Sequence, residues 1–228
     1  MAAQTHPNTG VHYDVPFMPN GGKRCLEACV GMVLGYFMPG RHFSDGELDA
    51  LCGLSHLDDT GSWSTKHMLG MADLGFRLQW IENFDYRRFT IEPEITFRES
   101  TSPKIFAWQK RFTNFPLEGE RMAEYLARKL PWENRAATTQ DIKRLLKDGW
   151  LARLKVNGPS LWEVSGYEGH SVVVVGYDAT GVFVHNPDAR LGNTPNQHVS
   201  WAVLQKAWED YGGPLALQAY TLPSKSVQ

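Results

Sequence analysis

Three cysteines, Cys25, Cys29 and Cys52, are too few and too odd a number for a disulfide framework. That excludes a small stapled scaffold and suits a reduced, cytoplasmic compartment. Charge of one sign is lacking too: Lys and Arg number 23 against 25 for Asp and Glu. With no basic excess to condense on phosphates, nucleic acid is not an expected partner. No apolar run reaches the roughly 20 residues of a membrane-spanning helix, and MAAQTHPNTGVHYD has neither the basic nor the apolar part of a secretory signal. Internal repeats and low-complexity tracts are missing as well. A zinc site would need a partner pair for Cys25-x-x-x-Cys29, and Gly21-Gly22 before Lys23 lacks the rest of a phosphate loop, so no metal or organic cofactor is implied. A chain of 228 residues can bury a full core without staples, and 1–228 reads as a single domain.

The segment Val15 to Phe37, VPFMPNGGKRCLEACVGMVLGYF, is the organising element. From Ala28 to Phe37 only Gly31 and Gly35 interrupt the apolar residues, and a helix apolar on all sides must be buried on all sides. Cys25 stands where a polar, glycine-containing turn enters that helix. Unpaired N–H groups and the positive end of the helix dipole favour thiolate there, and Lys23 and Arg24 push the same way. Cys29, one turn deeper, reads as an inert buried residue.

Further along, Ser44-Asp45-Gly46-Glu47 is a capping box opening a short helix that Gly53 closes, and a loop over Asp59 to Ser64 leads to a helix stopped at Gly75. Phe76 to Ile81 alternates as a strand. About 90 to 137 is a divergent insert, rich in Phe, Trp, Arg and Pro, with one amphipathic helix bearing Met122, Tyr125, Leu126 and Leu130; it reads as surface decoration, or else as a lid or substrate-binding insert. Thr138-Thr139-Gln140-Asp141 caps a helix, Trp150 to Val156 is a strand, and a loop runs to Gly169. Ser171 to Tyr177 is a buried strand with Val182 to His185 beside it, Ser200 caps a helix, and Leu215 to Leu222 is a last strand. Helices first and strands later define an α+β domain, with the buried N-terminal helix packed on a C-terminal antiparallel sheet.

A nucleophilic thiol needs an imidazole, and the imidazole needs a third group to fix its tautomer. His170, at the mouth of the buried strand, and Asn186, at the end of the neighbouring one, are the candidates. They share a face only if the hairpin loop is odd or an odd number of bulges intervenes. A three-residue loop Ala179-Thr180-Gly181, with Gly181 left-handed, would do this. His185 turns to the opposite face, and His6, His12, His42, His56, His67 and His198 read as structural or solvated.

These residues resemble the stand-alone relatives of the bacteriocin-processing, double-glycine peptidases, within the papain-like cysteine peptidases. VPFMPN followed by CLEACVGMVLGYF, then GHSVVVVGYD, then VHNPDA followed by Val199-Ser200-Trp201 carry the resemblance, with the caps at Ser44 and Thr139. It touches most of the chain outside about 90–137. It implies a papain-like fold with Cys25 as nucleophile, His170 as acid/base, and Asn186 where the group often has Asp. Asn20 stands in the place of the oxyanion-hole Gln, with the Cys25 N–H as second donor, and Leu26 replaces the usual Gly. The implied activity is cysteine-dependent hydrolysis of an amide or peptide bond through an acyl-enzyme. Acyl or peptidyl transfer by the same site, or a non-catalytic binding module, are the alternatives. The substrate would be a peptide or small amide or acyl compound, and any transporter or biosynthetic partner would act in trans.

Overall fold

The computed structural model describes residues 4–6, 10–20, 23–53, 63–188, 190 and 192–223. Gly21-Gly22, His56, the side chain of His6 and residues 59–62 of the expected loop lie outside the described residues.

The first long helix, α1 (Cys25–Phe37), is buried without interruption from Leu26 to Leu34, as its all-round apolar surface requires. It is flanked by α2 (Asp45–Cys52) and packs on strand β5 (Gly169–Tyr177). Ser44 and Glu47 form the capping box of α2, and Gly53 ends it in the left-handed conformation, φ 76°. Helix α3 (Ser64–Asp73) stops before Gly75, φ 86°, and delivers the chain to edge strand β3 (Arg77–Glu82).

The sheet is antiparallel, in the order β1 (Gln4–His6), β2 (Gly10–His12), β5, β4 (Leu151–Asn157), β8 (Ala216–Thr221), β3. Strand β6 (Gly181–Asn186) pairs with β5, and β7 (Thr194–Ser200) with β6. Helices α8 (Thr139–Lys147) and α10 (Trp201–Glu209) pack against β4. The cap of α8 is Thr138, whose hydroxyl accepts from Asp141 N while the Asp141 carboxylate takes the Thr138 N–H at 3.0 Å. No helix among the described residues is long and apolar enough to cross a membrane.

Several elements differ from the sequence reading. Between 90 and 137 there are three helices rather than one: α5 (Pro93–Ser100), α6 (Pro103–Gln109) and α7 (Phe115–Ala127), each with proline in its first turn. Tyr86–Phe89 forms a short α4, and Gly158–Leu161, read as loop, forms a one-turn α9 opened by Pro159. Strands β1, β2 and β7 were not foreseen. β7 is mostly exposed, contains Pro195 and carries Asn196 at φ 51°, so it shows no alternation to read.

The β5–β6 hairpin reaches the required geometry by a different route from the three-residue loop. Four residues separate the last paired positions, Tyr177 and Val182, and Gly181 lies in β6 with ordinary φ. An even connection alone would turn His170 and Asn186 apart. A bulge between Val174 and Gly176 restores the parity: Val174 pairs with Val184 and Val173 with His185, which puts Asn186 opposite Val172, on the face of His170.

Candidate active site

Cys25 is the first residue of α1 and is partly exposed, whereas Cys29 and Cys52 are buried. Its approach is fixed by Asn20, a buried residue whose Oδ1 accepts from the Arg24 N–H at 3.1 Å and whose own N–H donates to Asn193 Oδ1 at 3.0 Å. The carboxamide oxygen thus caps the helix entrance, and Asn20 lines the cavity that Cys25 also lines. Arg24 does not serve the thiol as its sequence position suggests: its guanidinium is held by Asp45, at 3.0 Å, and by Asp49.

His170 enters from the first turn of β5, is 4% exposed, and has Nε2 2.7 Å from Asn186 Oδ1. Asn186 Nδ2 donates to Gln197 Oε1 at 2.9 Å, and Gln197 Nε2 to the Leu161 carbonyl at 3.3 Å. That relay orients the Asn186 amide with its oxygen toward the ring, so Nε2 carries hydrogen and Nδ1 is left for the thiol. Gly158 lets α9 close behind the ring, since a Cβ there would meet His170 Cβ at 3.2 Å. Cys25 and His170 line the same cavity, close enough for each to shift the titration of the other.

The titration of the pair follows from this proximity. Burial pushes the Cys25 thiol up, but the hydrogen bond and charge of His170, the Arg153 guanidinium and the Ser171 N–H outweigh it, and the thiol lies below its ordinary value. Burial pushes His170 down, but the Cys25 sulfur, Asn186 and the charge of Asp188 hold it above the usual imidazole range. Each partner stabilises the charged form of the other, which is the condition for a thiolate–imidazolium pair. Burial instead raises Cys29 and Cys52 well above the ordinary thiol value.

His185, the competitor, is turned away: Nε2 lies 2.8 Å from the Val15 carbonyl, Nδ1 accepts from Asn196 N at 3.1 Å, and its ring meets Phe17 edge-on. His67 is buried beside Tyr220, at 2.8 Å, and burial holds it well below the imidazole range.

A cavity of about 540 Å³ opens over Cys25 and His170. Its far wall comes from the segment expected to be decoration: Phe97 on α5, Ile105 and Trp108 on α6, and Phe112 beyond it. Three charged residues near the thiol were not anticipated. Asp188 is buried and accepts from Arg190; Glu27 is buried on α1; Arg153 is buried in β4. Only Asp188, inside VHNPDA, and Arg153, one of two cations with Lys155 in the buried strand LARLKVN, left a trace in the sequence.

An α+β fold in which a buried N-terminal helix carries a cysteine against a histidine of an antiparallel sheet is the papain-like peptidase architecture. Residues 118–215 match the model of the Peptidase_C39 like family. The matched span contains His170 and Asn186 and leaves α1 outside it. The fold is similar to the crystal structure of a protein from Bacillus anthracis designated a C39-like peptidase, with TM-score 0.50 and 13% identity over 93% of this chain and 96% of that one. No curated protein matches the chain. Over residues 118–215 the chain is thus similar to the C39-like peptidases, and its α+β fold is of the papain-like kind.

Proposed function

We propose that the chain cleaves an amide or peptide bond with Cys25 as nucleophile, His170 as general acid and base, and Asn186 as the group that fixes the imidazole. The observation that supports this reading is that Cys25 and His170 line one open cavity, with the His170 ring held from the buried side by the Asn186 amide oxygen at 2.7 Å. The thiolate attacks the carbonyl carbon, and the oxygen takes up the displaced electron pair. In this reading the Cys25 N–H, at the first turn of the helix, and the Asn20 NH2 hold that oxyanion. His170 then gives its proton to the departing amine, leaving a thioester on Cys25. Water enters, His170 takes its proton, and the thioester opens to the free acid.

Intact-mass measurement on samples quenched during turnover of an activated peptide ester tests the covalent step. An added acyl mass that maps to Cys25 and decays in water is expected. Turnover with no such adduct would contradict the acyl-enzyme.

Asn20→Asp separates the residue's two tasks. The carboxylate still caps the Arg24 N–H, so the melting temperature should stay near wild type, but the oxyanion donor is gone. A fall in kcat of roughly 100-fold is expected, by analogy with the loss of other oxyanion donors. A change in stability with kcat intact would leave Asn20 as a helix cap alone.

A further inference from the structure

The cavity carries positive charge that its own carboxylates do not neutralise. Glu168 and Asp188 both engage Arg190, with Arg190 Nη2 3.1 Å from Asp188. Lys155 is held by Glu82 at 2.8 Å.

Arg153 stands apart. It lies in the middle of β4, lines the cavity beside Cys25 and is 4% exposed. Its guanidinium donates to Ser171 Oγ at 2.7 and 3.2 Å, to Ser64 Oγ at 3.3 Å and to Gln218 Oε1. All of these acceptors are neutral, and among the described residues no carboxylate reaches ion-pair distance of it. Neutral oxygens satisfy the N–H groups but not the charge, and a buried cation ordinarily has an anionic partner because desolvation is costly. Glu27 is buried and lines the same cavity, but it forms no ion pair with Arg153.

A guanidinium in this state, in the lining of an open cavity and with one Nη2–H not taken by these acceptors, can receive a carboxylate oxygen. Lys104, exposed on α6, adds a second cation to the lining. Phe97, Trp108 and Phe112 give the same cavity an apolar lining.

We propose that the cavity selects an acidic peptide: a Glu or Asp side chain lodges against Arg153, and a neighbouring apolar side chain lies on the α5–α6 wall. The proposal takes the peptide as ligand from the function proposed above and adds its charge class. Arg153 is then a specificity-determining residue, in addition to its field on the thiol.

The test is equilibrium binding to Cys25→Ala, which needs no turnover. The probes are matched pools of capped peptides, each with one phenylalanine and, at a varied position, either glutamate or glutamine. The glutamate pool is expected to bind about 10-fold tighter or more, as a charge-assisted hydrogen bond in a buried site implies. Adding Arg153→Gln should bring the ratio close to one. Should that variant fail to fold, Arg153→Lys, which keeps the charge but loses the directed guanidinium N–H, should cut the ratio by about threefold or more.

Equal binding of the two pools by Cys25→Ala, binding of neither, or a ratio unmoved by the Arg153 variants overturns the proposal. Cleavage by wild type is measured in parallel. An acid preference in binding without cleavage would sink the peptidase reading and uphold this one, and cleavage without acid preference would do the reverse.

Discussion

Cys25→Ala is expected to lower peptide or ester hydrolysis by about 10⁴-fold or more, with the melting temperature little changed. The size of the effect follows from removing the only group that forms the covalent bond. The stability expectation follows from place: Cys25 is partly exposed at a helix start, so its Sγ fills little of the core. Cys29→Ala and Cys52→Ala are the controls. Both side chains are buried, and burial holds both thiols protonated at neutral pH. They should lose stability by about 1 kcal/mol for the small volume removed and keep their activity. Steady-state hydrolysis and thermal melts on the three variants check this. Activity surviving in Cys25→Ala and lost in Cys29→Ala would move the nucleophile one turn into the helix.

The second large effect is at His170. His170→Ala removes the proton donor for the leaving amine and the counter-charge of the thiolate together, so kcat/KM is expected to fall by about 10³-fold or more. The pH profile carries the sign of the argument. In wild type, rate should rise as pH climbs through the lowered Cys25 value, which creates the thiolate, and fall as pH passes the raised His170 value, which removes the imidazolium. In His170→Ala the descending limb should vanish, because no imidazolium remains to lose. The ascending limb should move to higher pH, because burial still disfavours the thiolate while only Arg153 and the Ser171 N–H oppose it. A bell that keeps both limbs in the variant would assign them to other groups.

The parts of this site that were legible in the sequence are those where local chemistry decides the structure. The run from Ala28 to Phe37 has no polar face, and α1 is buried from Leu26 to Leu34. The pairing of His170 with Asn186 was legible as a parity condition on the hairpin, and the two meet at 2.7 Å. The means was not legible: an even connection compensated by a bulge after Val174 and an odd loop satisfy the same condition, and Gly176, which ends the valine run beside the bulge, marks a bulge or a close backbone approach alike.

What remained hidden depends on contacts distant in sequence. Arg24 looked like a charge aimed at the thiol, but Asp45 and Asp49, a helix away, claim it. The cation that acts on the sulfur is Arg153, which reaches it only because β4 pairs with β5. The aromatic residues of the insert gave no periodic signal, since Phe97 and Trp108 lie on separate short helices and Phe112 beyond them, lining the cavity rather than forming one amphipathic face.

The account rests on a thiolate at Cys25 held by the imidazolium of His170, and the ultraviolet absorbance of the thiolate as a function of pH measures that species directly. Subtracting the Cys25→Ala titration from that of the wild type isolates this one sulfur. The account predicts a difference curve with its midpoint well below the ordinary thiol value of about 8.5, displaced upward in His170→Ala. A midpoint at or above that value, unmoved when His170 is replaced, would contradict it.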